Sequence, residues 1–191
     1  MGPYKLLALD MDGTLLNEEA LISEDNQQWI QKALDAGVTV ILSTGRGVQK
    51  VYPYTDLIGL KTPIVSVNGS EVWKEPRVLL KRHLMKVEWI RRLHEMAVEY
   101  EDTWFWAYSV NGVHNKENWV QADLETTDWL KFGYFTENDE HRIQLLDKLV
   151  DWGEFELTNS HPHNIEINPK GISKASGIEE VCKLFGYSMS E

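Results

Sequence analysis

The sequence predicts an α/β protein: a doubly wound parallel sheet interrupted by an inserted α+β domain. Three observations lead there. Short, wholly apolar runs at 4–10 (YKLLALD), 38–42 (VTVIL) and 63–67 (PIVSV) alternate with helical patterns across short turns. Runs of that kind are strands buried on both faces, and strand–helix–strand repetition produces a parallel sheet. From residue 83 to 166 the pattern changes to alternating, aromatic-rich strands and longer amphipathic helices. A final helical pattern, SKASGIEEVCKLF, then returns to the first style. The expected organisation is a discontinuous core at 1–82 and 167–191 with an insert at 83–166.

Each element has a local reason. After the first strand, Ser23 can cap a helix that places Trp29, Ile30, Ala33 and Leu34 on one face, and Gly37 ends it. The second strand runs into STGRG, a loop expected to open another helix. VSVNGSEVW sets Asn-Gly between two β-rich runs, a hairpin signal. In the insert, residues 86–100 form an amphipathic helix with Val87, Ile90, Ala97 and Tyr100 inward. TWFWAYS alternates like a half-buried strand, NDEHRIQLLDKLVDW is a second helix, and EFELTNS and HNIEINP are strands. The acidic residues at 137–140 suit a helix start. Gly186 stops the last helix.

A chain of 191 residues holds one good core, or a core and a small second module. Hydrophobic content of 42% and charged content of 26% are those of an ordinary globular protein. A net charge of −11 lacks the basic footprint of a nucleic-acid binder, so none is expected as partner. Any phosphate bound here needs local neutralisation by a metal, a lysine or helix N-termini. Cys182 is the single cysteine, so no internal disulfide forms, and its place in IEEVCKLF reads as a buried thiol. No apolar run reaches membrane-spanning length and no signal-peptide pattern opens the chain. Met1 and Gly2 are followed by Leu6 where an acylation pattern needs Ser or Thr. The expectation is a cytoplasmic protein without a membrane partner. Its oligomeric state is not encoded in these features.

The first strand ends in Asp10, Met11, Asp12, Gly13 and Thr14. Residues i and i+2 of a strand point to one side, so Asp10 and Asp12 converge beyond the C-terminal strand ends, where open α/β sheets bind ligands. Gly13 permits a sharp turn. Two adjacent carboxylates call for a cation or a shared proton. A calcium loop of the EF-hand kind is excluded, because Leu15 and Leu21 stand where it needs Gly and Glu. A plain strand end and a phosphoryl-transfer site both remain open on these residues. In the second, one carboxylate attacks phosphorus and the other moves a proton.

The D-x-D-G-T pattern after a buried first strand resembles the first motif of the HAD (haloacid dehalogenase-like) phosphohydrolases. Ser43-Thr44-Gly45-Arg46 after the second strand resembles their second motif. NPKGISK resembles the lysine motif of the class IIB, Cof-type members, with Lys174 in the matching position. Lys170 competes, but its Pro-Lys-Gly turn reads as a solvated charge. The insert resembles the cap of class II, and Asn68-Gly69-Ser70 stands where such proteins carry an N-G-A-like sequence. The resemblance implies a magnesium-dependent phosphatase of a small phosphorylated metabolite, such as a sugar phosphate or phosphorylated cofactor. It implies Asp10 as nucleophile and metal ligand, with Asp12 as general acid and base and as metal ligand through its carbonyl. Met11 N–H, Thr44, Gly45 and Lys174 would hold phosphate. Arg46 and Asn68 are weaker candidates for substrate contact. Closure of the cap would exclude water and select the leaving group.

One motif of that family has no counterpart. Its G-D-x-x-N-D acids complete the magnesium site, and here Asn138-Asp139 falls inside the insert. The expectation is therefore a C-terminally incomplete core with an open edge on its first strand, weak Mg2+ binding and low turnover. Two alternatives follow: a phosphotransferase or mutase of the same fold, and an inactive binding or regulatory module. A dinucleotide-binding protein is disfavoured, because no G-x-G-x-x-G follows the first strand. Trp104, Trp106, Trp119 and Trp129 could line a pocket, but in a small module they read first as core. His161 and His163 alone make a poor metal pair.

Overall fold

Elements run in chain order from β1 (Leu6–Leu9), α1 (Glu24–Asp35), β2 (Thr39–Ser43), α2 (Tyr52–Leu57), β3 (Ile64–Ser66), β4 (Glu71–Glu75) to β5 (Val78–Arg82). They continue with α3 (Val87–Glu99), β6 (Trp104–Ser109), β7 (Gly112–Asn115), β8 (Trp129–Phe135), α4 (Asp139–Trp152), β9 (Phe155–Thr158), β10 (Asn164–Pro169) and α5 (Lys174–Phe185). The computed structural model describes residues 4–119 and 121–191. The acylation reading at Met1 and Gly2 lies outside them. Two compact units result: Met1–Arg82 with Ser173–Glu191, and His83–Ile172.

The first unit is built on a sheet of order β1-β2-β3-β4-β5. β1, β2 and β3 are parallel, as the apolar runs predict, and the β4–β5 hairpin extends the sheet antiparallel. The sheet is thus mixed, because Asn68-Gly69 turns the chain straight back instead of crossing over through a helix. One face buries Val40, Leu42 and Ile64 with Ile30 of α1. The other buries Ile41, Val65 and Val72 with Val181 of α5.

Two local expectations need correction. β1 has the open edge expected of it but is less buried than its apolar run predicts. Among the described strands it pairs with β2 alone, and Leu7 is 41% exposed. Its free side is met by the Glu191 carbonyl, which accepts from Lys5 N–H at 2.5 Å and Leu6 N–H at 3.4 Å. In α1, Ser23 caps as expected, accepting from Asn26 N–H at 3.2 Å. Trp29, however, is 66% exposed and packs its ring under Lys32 Nζ at 4.1 Å. The buried stripe centres on Ile30, and Trp29 sits on its solvent edge, where a ring can shelter a lysine.

The second unit is a sheet of order β7-β6-β8-β10-β9, with every paired strand antiparallel. Its core joins Phe132, Tyr134, Ile165 and Ile167 of the sheet to Leu93 of α3 and Leu145 of α4. Tyr134 donates its buried hydroxyl to Leu93 O at 2.7 Å. β5, β7 and β8 have no counterpart in the sequence reading. β8 is the middle strand, buried from Trp129 through Tyr134, so it shows no alternation to detect.

The insert also ends later than 166. β10 runs to Pro169, which pairs with Phe155, and Lys170 N–H donates to Glu154 O at 2.9 Å. Residues 167–172 therefore belong to this unit, and the core resumes at Ser173. The tryptophans divide. Trp129 is buried and Trp119 packs against the same core. Trp106 points to the opposite sheet face, where Gly133 leaves room for its ring; a Cβ there would lie 2.3 Å from it. Trp104, on that same face, is 36% exposed. Cys182 is buried in the first unit, and burial pushes its thiol pKa up.

Candidate active site

The site grows from the end of β1. The chain turns immediately after it: Leu15 N–H reaches Asp10 O at 3.2 Å and Leu16 N–H reaches Met11 O at 2.9 Å. Gly13 takes a φ of +70°, the left-handed conformation that lets this turn close. Met11 is fully buried and anchors the turn in the core, so the carboxylates on either side are presented outward.

Asp10 and Asp12 have different partners. Asp10 Oδ1 accepts the Met11 N–H at 2.8 Å and lies 2.8 Å from Lys174 Nζ. Both contacts engage Oδ1. Asp12 is gripped by Arg46, whose Nη2 and Nε donate to Oδ1 and Oδ2 at 2.5 and 2.9 Å. This two-pronged pair holds the Asp12 carboxyl below the usual carboxylate range, with partial burial opposing and Lys174 adding a smaller pull in the same direction.

Lys174 is the first residue of α5, and its position is set by a capping box. Ser173 Oγ accepts Ser176 N–H at 3.2 Å while Ser176 Oγ accepts Ser173 N–H at 2.9 Å. Ser173→Ala is expected to cost about 0.5–2 kcal/mol of stability. Urea titration of the variant measures the loss. Lys170 belongs to the other unit, where its Nζ donates to Gly153 O at 2.9 Å.

The loop after β2 is tied down from inside. Thr44 is fully buried, its N–H donates to Val65 O at 2.9 Å, and its hydroxyl accepts Arg46 N–H at 3.1 Å. Gly45 lies half-buried between them. The expected helix does not open directly at STGRG. A short 3-10 turn at Val48–Lys50 intervenes before α2, whose Pro53 lacks the N–H that a helix interior needs and so sits near the start. Asn68 is buried in the turn after β3, with a left-handed φ of 54°.

The structure thus brings Asp10 with Lys174 and Asp12 with Arg46, and places Arg46 on a carboxylate where substrate contact was expected. Tyr54 has no sequence signal. Its hydroxyl accepts from Arg46 Nη1 at 3.4 Å and donates to Ala20 O at 3.0 Å, joining α2 to the loop after Asp12. Among the described residues no cluster of three or more His, Cys, Asp or Glu is placed to hold a metal, and this includes His161 and His163. The donor set at Asp10 and Asp12 is all oxygen. That suits magnesium, which binds through one or two carboxylates and completes its shell with water and phosphate oxygens. Among the described residues, no helix is long and apolar enough to cross a membrane.

A sequence model of the haloacid dehalogenase-like hydrolases matches residues 7–191. The 5-amino-6-(5-phospho-D-ribitylamino)uracil phosphatase YcsE of Bacillus subtilis is 38% identical over 185 residues, covering 97% of this chain and 73% of its own. The phosphatase YwpJ of the same organism is 37% identical over 233 residues, covering 98% and 81%. A haloacid dehalogenase-like hydrolase structure from Bacillus subtilis superposes with a TM-score of 0.81 at 18% identity, covering 96% of this chain and 80% of that one. The structure of a HAD subclass IIB sugar phosphatase does so with a TM-score of 0.81 at 15% identity, covering 97% and 77%.

Proposed function

Because the chain belongs to the haloacid dehalogenase-like hydrolases and is a phosphatase of that family, we propose that it hydrolyses the phosphate monoester of a small metabolite through an aspartyl phosphate on Asp10. The observation that carries this reading is the Asp10–Lys174 pair at 2.8 Å, with Asp12 two residues on. An ammonium beside the nucleophile offsets the repulsion between a carboxylate and an incoming phosphate dianion.

In the first step an Asp10 oxygen bonds to phosphorus and the ester P–O bond breaks, with Asp12 delivering a proton to the departing alkoxide. In the second, Asp12 takes a proton from water, the water oxygen bonds to phosphorus, and the acyl phosphate P–O bond breaks to release inorganic phosphate. Arg46 keeps Asp12 ionised while the pair is intact, so its guanidinium must turn to the phosphate before Asp12 can carry the proton. Thr44, Gly45 and Met11 N–H complete the phosphate contacts. Magnesium held by Asp10 and the Asp12 carbonyl would supply charge neutralisation for the phosphoryl oxygens. A phosphorylated sugar alcohol is the first candidate substrate, by analogy with the relative named for 5-amino-6-(5-phospho-D-ribitylamino)uracil.

A panel of sugar phosphates, phosphorylated cofactors and that ribitylaminouracil phosphate, assayed with magnesium for released phosphate, tests the reading. Phosphate appearing on a sugar acceptor would instead make the enzyme a phosphotransferase. Asp12→Asn is expected to lower kcat by about 10²–10⁴-fold. Rapid quench with an activated aryl phosphate, whose leaving group needs no proton, should trap phosphoenzyme, because loss of the base then stalls only the second step. An Asp12→Asn enzyme with unchanged turnover would remove Asp12 from proton transfer.

A further inference from the structure

The β3–β4 connection is more strained than a hairpin requires. Ser66 pairs with Glu71, so the connection is the four residues Val67–Ser70, whereas the two-residue turn that Asn-Gly signals needs a left-handed backbone at those two positions only. Here Val67 is left-handed as well, with φ values of 50°, 54° and 94° along Val67, Asn68 and Gly69. A branched side chain is poorly suited to that conformation, and such strain persists only where the surroundings impose it. The surroundings are dense. Val67 is fully buried, and just before it Ser66 Oγ donates to the buried Glu71 carboxylate at 3.3 Å, itself paired with Arg82.

The third left-handed residue aims two amides at the loop after β2. Val67 N–H donates to Arg46 O at 2.9 Å and Asn68 N–H donates to Thr44 O at 3.0 Å. The other side of the same turn lies against α5. A Cβ on Gly69 would stand 2.1 Å from Ser173 O, and one on Gly177 would stand 2.5 Å from Val65 Cγ1 and 3.3 Å from Gly69 Cα. Ser173 is the cap that starts α5 at Lys174. One turn therefore touches both the Thr44–Gly45–Arg46 loop and the lysine helix.

We propose that the turn Val67–Gly69 is a positioning element that sets the spacing between the Thr44–Gly45 loop and Lys174, with Gly69 its key residue. This rests on the phosphate-site reading of those residues. Glycine at 69 allows the backbone of α5 to approach as closely as Lys174 needs to reach Asp10, and the two amides fix the loop on the opposite flank. Asn68 then acts through its backbone on Thr44.

Inorganic phosphate, titrated calorimetrically in the presence of magnesium, is the probe. Lys174→Ala should weaken binding about 10–100-fold. Gly69→Ala should weaken it about tenfold or more, since a misplacement of roughly an ångström is enough to do so. The double variant Gly69→Ala, Lys174→Ala should bind no worse than Lys174→Ala alone, because the glycine acts through the lysine. If Gly69→Ala does not fold, Gly177→Ala replaces it in the same cycle. Alanine favours the helix there, and the Val65 side chain can give way, so a drop of about threefold with the same non-additivity is expected. Wild-type affinity in the glycine variant, or losses that multiply in the double variant, overturns the positioning role alone. Wild-type protein that binds no phosphate removes the phosphate-site reading itself, and this inference with it.

Discussion

Asp10→Asn is expected to lower kcat for phosphate release by roughly ten-thousand- to a million-fold, the scale seen when an enzyme loses its nucleophile. The amide is nearly isosteric but does not attack phosphorus. The Asp10 side chain is 41% exposed and its pair with Lys174 lies near the surface, so breaking it costs at most about 1 kcal/mol. Activity and fold are therefore separable: thermal unfolding should move by only a few degrees while turnover disappears. A stopped assay with magnesium, alongside circular dichroism, reads both. Turnover within tenfold of wild type would transfer the nucleophile role elsewhere.

The second large effect concerns stability. Lys131 is 2% exposed, its Nζ is 2.8 Å from Glu166 Oε2, and it lies 5.2 Å from the Tyr108 ring centroid. Ser160 donates to the other Glu166 oxygen at 2.7 Å. Lys131→Ala leaves the buried carboxylate without its cation, which costs about 3–5 kcal/mol. For a chain of this size that lowers Tm by about 6–20 °C. Lys131→Met, Glu166→Gln should recover most of the loss, since no buried charge is left unpaired and the volume is largely kept. Urea unfolding of both variants decides the matter. A double variant as unstable as the single would show that the ion pair itself, and not an uncompensated carboxylate in the single variant, carries the stability.

The parts of this protein legible in its sequence are those written locally. Apolar runs located β1, β2 and β3. Ser23 and Gly186 marked helix ends by side-chain chemistry, whereas Asp10 and Asp12 lie past the end of β1, in a turn where the i, i+2 rule of a strand no longer applies. β8 was invisible for the opposite reason: a strand buried on both faces in an antiparallel sheet carries no alternation. Trp29 misled because a helical wheel ranks residues by apolarity, whereas exposure depends on how much sheet lies beneath.

The sequence by itself determined the family and the strands that carry its motifs, because each depends on residues adjacent along the chain. Only the tertiary structure decided which charges meet. It paired Lys174 with Asp10 and sent Lys170 to the other unit, and it set Arg46 on Asp12 with Tyr54 behind it. It gave Val67 a left-handed backbone and set its amide on the Arg46 carbonyl. Such contacts join residues far apart in the chain, and their geometry follows from how helices and strands pack. No local pattern of side chains encodes it.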